Sequence, residues 1–153
     1  MSKKLDKETL MQVAEVELRY KTRKKTSVVI KGAEDCEKVL RSVWYDDMEV
    51  RERMYAVFLS RRNHVMAVQE LSAGGTDATT IDVKILFATA VKMLASGMIL
   101  AHNHPSGTTD PSIQDRNLTK KVKDCCTLMD MVLLDHIILT TDSIFSFANE
   151  GIL

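Results

Sequence analysis

The stretch "LAHNHPSGTTDPSIQD", Leu100 to Asp115, holds two histidines one residue apart, a proline–glycine turn and a closing carboxylate. It begins inside "MILAH" (Met98–His102), which reads as a strand. Residues two apart in a strand point to one face. With extended geometry carried through Asn103, the imidazoles of His102 and His104 face one point. Pro105 forbids a helix at His104 and ends the strand, and Gly107 permits the turn. The chain returns through "TTDPS". Asp110-Pro111-Ser112 is a helix start, with Pro111 suited to the first turn. Asp115 falls in that first turn, three residues before Leu118 and seven before Val122. Its carboxylate therefore lies on the apolar stripe of the helix, where an unpaired charge is costly and a neighbouring cation removes the cost.

Two neutral imidazoles and one carboxylate on one face make a ligand set for zinc. Three protein ligands leave a fourth position for water, which marks a catalytic rather than a structural site. Zinc lowers the pKa of that water to about 7. Blander readings compete. Ser112-Ile-Gln-Asp115 matches a capping box, with Ser112 as N-cap and Asp115 as N3, and a His-x-His pair taken alone is more often incidental. The cap explains Asp115 but not the paired histidines or the proline–glycine return. The metal reading explains all of them, and Ser112 can cap the helix and still line the site.

Outward from this stretch the elements alternate. Residues about 5–20 read as an amphipathic helix through Leu10, Val13, Ala14 and Leu18. Ser27–Ile30 reads as a short strand closed by Gly32. Cys36, Val39, Leu40, Val43 and Trp44 predict a second helix ending near Tyr45–Asp47. Met54–Leu59 and Val65–Leu71 read as a hairpin around the polar turn "SRRNH", and "SAGGT" breaks the chain. Val83, Leu86, Phe87, Ala90, Val91, Leu94 and Ala95 share one helical stripe, capped by Thr80 or Asp82, with Gly97 as the C-terminal glycine. Leu118, Val122, Cys125, Cys126 and Met129 mark a last long helix. "MVLLDHIILT" then reads as a strand apolar on both faces, and "SIFSF" as a short closing strand. The fold class is α/β, a mixed sheet flanked by helices.

The 153 residues suit one domain. No apolar run approaches the roughly 20 residues needed to cross a bilayer. "MSKKLDKETL" has no apolar segment of a secretory signal, so the expected location is cytoplasmic. Three cysteines without a C-x-x-C spacing argue against a disulfide framework. Basic and acidic residues balance at 21 each, unlike most stand-alone nucleic-acid binders. The one basic cluster, Arg19, Lys21, Arg23, Lys24, Lys25 and Lys31, reads better as a solvated segment than as a phosphate site. Nothing in the pattern reports the oligomeric state.

His102-x-His104, seven residues, Ser112, two residues, Asp115 resembles the JAMM signature of the JAB/MPN metalloprotease domain. "ILAHNHPSGTTDPS", the upstream "ELSAGG" and the downstream "LLDHIIL" and "FSFANEG" resemble its RadC-like bacterial branch. The resemblance covers roughly residues 30–153, with residues 1–29 an N-terminal helix and basic segment. The chain has no room for the helix-hairpin-helix region common among RadC-like proteins, so a short single-domain member is expected. The resemblance implies a cytidine-deaminase-like α/β fold and Zn²⁺ held by His102, His104 and Asp115. It implies a glutamate general base, placed by local context at Glu52 with Glu49 and Glu70 as competitors, and a Ser112 hydroxyl that hydrogen-bonds the oxyanion. The implied activity is zinc-dependent hydrolysis of a peptide or isopeptide.

His136 and Asp135 are neighbours in a strand and face opposite ways, and His136 reads as a hydrogen-bonded core histidine. His64 reads as solvated, and Ser106 lacks the G-x-S-x-G elbow of a nucleophile. Two other functions stand beside the hydrolase: a non-catalytic interaction module, and the DNA-repair association commonly attached to RadC-like proteins. The basic cluster is the only physical support here for nucleic acid as a partner.

Overall fold

The computed structural model describes residues 28–74 and 81–153. The helix expected over residues 5–20 and most of the basic cluster lie outside the described residues, as does Thr80. Five strands form one mixed sheet in the order β2-β1-β3-β4-β5. They are β1 (Arg53–Leu59), β2 (Val65–Ala73), β3 (Gly97–Asn103), β4 (Val132–Leu139) and β5 (Ile144–Ser146). Three helices are described: α1 (Ala33–Val43), α2 (Val83–Met93) and α3 (Ile113–Leu128). β1 pairs antiparallel with both β2 and β3, β3 runs parallel to β4 across the α3 crossover, and β5 closes the edge antiparallel.

Alternation along β1 and β3 builds two cores. Met54, Ala56, Phe58, Met98 and Leu100 face α2 and α3, where they meet Leu86, Phe87, Ala90, Val122 and Cys126. Tyr55, Val57, Leu59, Ile99 and Ala101 face α1, where they meet Cys36 and Leu40. β1 and β3 are buried along their whole length because helices cover both faces. Among the described residues no helix is long and apolar enough to cross a membrane.

Several sequence expectations shift. Of the strand expected over Ser27–Ile30, Ser27 lies outside the described residues and Val28–Ile30 forms only an isolated bridge, Val29 to His64. α2 stops at Met93, and Leu94 takes the left-handed conformation at φ 54°. Leu94 is exposed there, Val91 within the helix is exposed too, and Met93 is buried. Gly97 is not the cap. It opens β3 so tightly that a Cβ there would sit 3.2 Å from Leu134 Cδ1 and 3.3 Å from the Val132 carbonyl. Ser112 is the N-cap of α3, as the capping-box reading has it, so Pro111 precedes the helix rather than occupying its first turn.

Candidate metal centre

Extended backbone continues through Asn103, and Gly107, at φ 80°, turns the chain while donating to the His104 carbonyl at 3.1 Å. The side chain of His102 leaves the end of β3 toward α3. That of His104 follows just past the strand. Asp115 enters from the first turn of α3, fixed by a full capping box. Ser112 Oγ accepts from the Asp115 amide at 3.1 Å and donates to Asp115 Oδ2 at 2.7 Å, and the Ser112 amide donates to the same oxygen at 2.7 Å. The cap and the site thus use one carboxylate. Oδ2 carries the helix contacts and also approaches His104, and Oδ1 faces His102.

The three side chains offer one ligand atom each within 4.8 Å of one another. His102 Nε2 lies 2.9 Å from His104 Nε2 and 3.1 Å from Asp115 Oδ1, and His104 Nε2 lies 3.5 Å from Asp115 Oδ2. His102 is fully buried and Asp115 is 8% exposed. His104 Nδ1 donates to the Thr108 carbonyl at 2.9 Å, since a carbonyl can only accept. In the neutral ring that leaves the His104 Nε2 lone pair turned inward. Two nitrogens and a carboxylate oxygen converge on one point, a donor set that suits zinc. In the absence of a metal a proton is the cation the trio recruits. The hydrogen bond that His104 donates to Asp115 raises the His104 pKa against the opposing effect of burial, with further help from Thr108 and from the charges of Asp115 and Glu52. Burial pushes the Asp115 pKa up, but the contacts with His102, His104 and Ser112 outweigh it and hold the carboxyl well below the usual range.

Glu52 is half-buried just before β1. Met54 pairs with His102, and the Glu52 charge acts on His104. The Glu52 carbonyl accepts from the Gly74 amide at 2.9 Å, tying it to the end of β2. Asn103 anchors the same loop from between the two histidines. Its Oδ1 accepts from the Arg53 amide at 2.8 Å, and its Nδ2 donates to the carbonyls of Met48 at 2.6 Å and Arg51 at 2.8 Å. The competitors lie elsewhere. Glu70 pairs with Arg53 at 2.8 Å and accepts from the Tyr55 hydroxyl at 2.8 Å on the α1 face. Glu49 is exposed and lines an open cavity of about 340 Å³ with Trp44, Tyr45 and Thr141.

A sequence profile described as "RadC-like JAB domain" matches residues 30–152. The chain belongs to the RadC-like JAB domain family. Among its relatives, a "UPF0758 protein" of Porphyromonas gingivalis is 44% identical over 104 residues, which is 67% of this chain and 46% of the relative. One from Flavobacterium johnsoniae is 41% identical over 101 residues, 66% of this chain and 44% of the relative. One from Syntrophomonas wolfei is 32% identical over 127 residues, 82% of this chain and 54% of the relative. The aligned region spans about half the length of these curated relatives.

Three residues of this RadC-like centre escape a reading by motif. His136, fully buried on β4, sits 2.8 Å from His102 Nδ1 through its Nε2. Thr119 Oγ1 lies 2.6 Å from His136 Nδ1 and donates to the Asp115 carbonyl at 2.6 Å. Asn103 is the third. Thr119, one helical turn after Asp115, was within reach of periodicity. His136 was not, because its face depends on a bulge: Met98 pairs with Leu133 and Ile99 with Asp135, so Leu134 is an extra residue. His64 bridges Val29 at the far end of β1 and takes no part in the centre.

Proposed function

We propose that this chain is a zinc-dependent amide hydrolase of JAMM type, acting on a peptide or isopeptide. The observation that carries the reading is the convergence of His102 Nε2, His104 Nε2 and an Asp115 carboxylate oxygen at a buried strand tip. A zinc ion bound there would supply a water that ionises near neutral pH and would polarise a scissile carbonyl. The residues do the rest. Glu52, at the entry to β1 with its charge acting on His104, takes the water's proton at its carboxylate and passes it to the leaving amine. Ser112 Oγ rotates away from Asp115 Oδ2 to donate to the developing oxyanion, while the Ser112 amide keeps that carboxylate oriented. The loop bearing Glu52 stays in register with the histidines because Asn103 grips it through three hydrogen bonds.

The test is metal analysis of the purified protein followed by hydrolysis assays on peptide and isopeptide libraries. About one zinc per chain is expected. Glu52→Gln should keep the zinc and lose hydrolysis by roughly a hundredfold to ten-thousandfold. An unchanged rate in that variant removes Glu52 from the mechanism. A protein that takes up no zinc refutes the hydrolase and leaves the non-catalytic interaction module. The DNA-repair alternative rests on a basic cluster of which only Lys31 is described.

A further inference from the structure

We propose that His136 is a positioning residue that sets the tautomer of His102, and that Thr119 anchors it from the first turns of α3. The argument runs on hydrogen-bond direction. The Asp115 carbonyl can only accept, so the Thr119 hydroxyl, 2.6 Å away, must donate to it. With its single proton committed, Thr119 Oγ1 can only accept from His136 Nδ1 at 2.6 Å. His136 therefore carries its proton on Nδ1. Its ring has no solvent exposure, is stacked on Phe147 at 4.8 Å, and its two nitrogens meet the uncharged Thr119 hydroxyl and the His102 ring, so burial favours the neutral form. A neutral ring protonated at Nδ1 presents a bare Nε2. That nitrogen accepts from His102 Nδ1 at 2.8 Å, which leaves His102 Nε2 as a lone pair aimed at His104 and Asp115.

The donors run from His102 Nδ1 through His136 Nδ1 and the Thr119 hydroxyl, and the Asp115 carbonyl is the last acceptor. The residue that offers the carboxylate thus also fixes, through Thr119 and His136, which nitrogen of His102 is free. A metal-binding histidine needs its other nitrogen bonded outward, and loss of such a partner commonly weakens a metal site about 10–100-fold. A neutral histidine as that partner, itself fixed by a threonine, differs from the usual carboxylate or carbonyl: it orients His102 without adding charge behind it.

The tautomer claim holds whatever the metal; its consequence for affinity rests on the zinc reading above, and the two are measured separately. Metal-free protein labelled with ¹⁵N-histidine, at mildly alkaline pH, gives the tautomers of His102 and His136 by long-range ¹H–¹⁵N correlation NMR. Both rings should be protonated at Nδ1. Thr119→Val keeps the shape but removes the hydroxyl, and should shift His102 toward the Nε2-protonated form. Thr119→Ser should restore the parent spectrum. Competition with a chromophoric chelator should then show Thr119→Val binding Zn²⁺ about 10–100-fold more weakly and Thr119→Ser binding it near the parent affinity. Thermal melts of the metal-free forms separate this from misfolding. His102 protonated at Nε2 in the parent, or unchanged in folded Thr119→Val, overturns the proposal. If the parent spectrum is as stated but no Zn²⁺ binds, the zinc reading fails and the tautomer assignment stands.

Discussion

Two polar clusters lie on opposite faces of the sheet, one around Arg53 on β1 and one around His102 on the paired β3. On the α1 face, Arg53 donates to Asp47 at 2.9 and 2.6 Å and to Glu70 at 2.8 Å, Tyr55 adds its hydroxyl to Glu70, and the guanidinium sits 4.2 Å from the Tyr45 ring centroid. Every charge there has an opposite partner. On the α3 face, His102, His104 and Asp115 bring their acceptor atoms together, and their donors point outward to His136, Thr108 and the helix cap. The first cluster is closed by its own side chains. The second is closed only by a cation. Both are dense in hydrogen bonds, so density does not separate a structural network from a functional one. Donor–acceptor balance does.

The comparison breaks most sharply at Asp115. Asp115→Asn keeps the size of the side chain and an oxygen for Ser112, but removes the charge and places an amide N–H among the imidazoles. Zinc affinity should fall by more than about a hundredfold. Metal-free stability should change by no more than about 1 kcal/mol, since the amide donates where a proton stood. Chelator competition and metal-free melts measure the two. A variant that binds zinc normally would show that the carboxylate is only a cap.

The mirror experiment is Arg53→Met. It strips Asp47 and Glu70 of their shared cation and should cost roughly 2 kcal/mol, less than a fully buried pair because both carboxylates are partly exposed. Zinc affinity of the folded protein should not move. The two substitutions then dissociate: one loses metal and keeps stability, the other loses stability and keeps metal. If Arg53→Met weakens zinc as much as Asp115→Asn does, the faces are coupled through Asn103, which holds the Arg53 amide from between the histidines.

What the sequence carried and what it withheld divide along the range of the interactions. The strand tip, the turn at Pro105–Gly107 and the capping box are local, set by residues within sixteen positions of one another, and pattern reading reaches them. The α/β sheet was legible because buried strands and helical stripes repeat. The end of α2 was not, since Leu94 continues the stripe in letters but is the residue where the backbone turns left-handed. Glu70 and Glu52 look equivalent as letters. They part only when β1 alternation assigns Glu70 to the Arg53 face and the pairing of Met54 with His102 brings Glu52 to the other. His136 was read as a core histidine, and it is one, but its contact with His102 depends on a strand irregularity that composition does not announce.

That irregularity gives the smallest effect. Leu133 packs in the α2–α3 core, Leu134 and Asp135 both turn toward α1, and only then does His136 return to the α3 face. Gly97 pairs with Val132, just before the extra residue, and has Leu134 Cδ1 and the Val132 carbonyl where a Cβ would go. Gly97→Ala should therefore press on the bulge itself. The leucine side chain can yield but the carbonyl is held in β4, so a cost of about 1 kcal/mol is expected. If the bulge holds, zinc affinity stays at the parent value while the melt drops slightly. If it slips by one residue, alternation carries His136 away from His102, and the loss of affinity should match that of Thr119→Val. A stability gain with unchanged affinity would mean that the glycine is there by tolerance alone, and that the placement of His136 owes nothing to the close approach of β3 and β4.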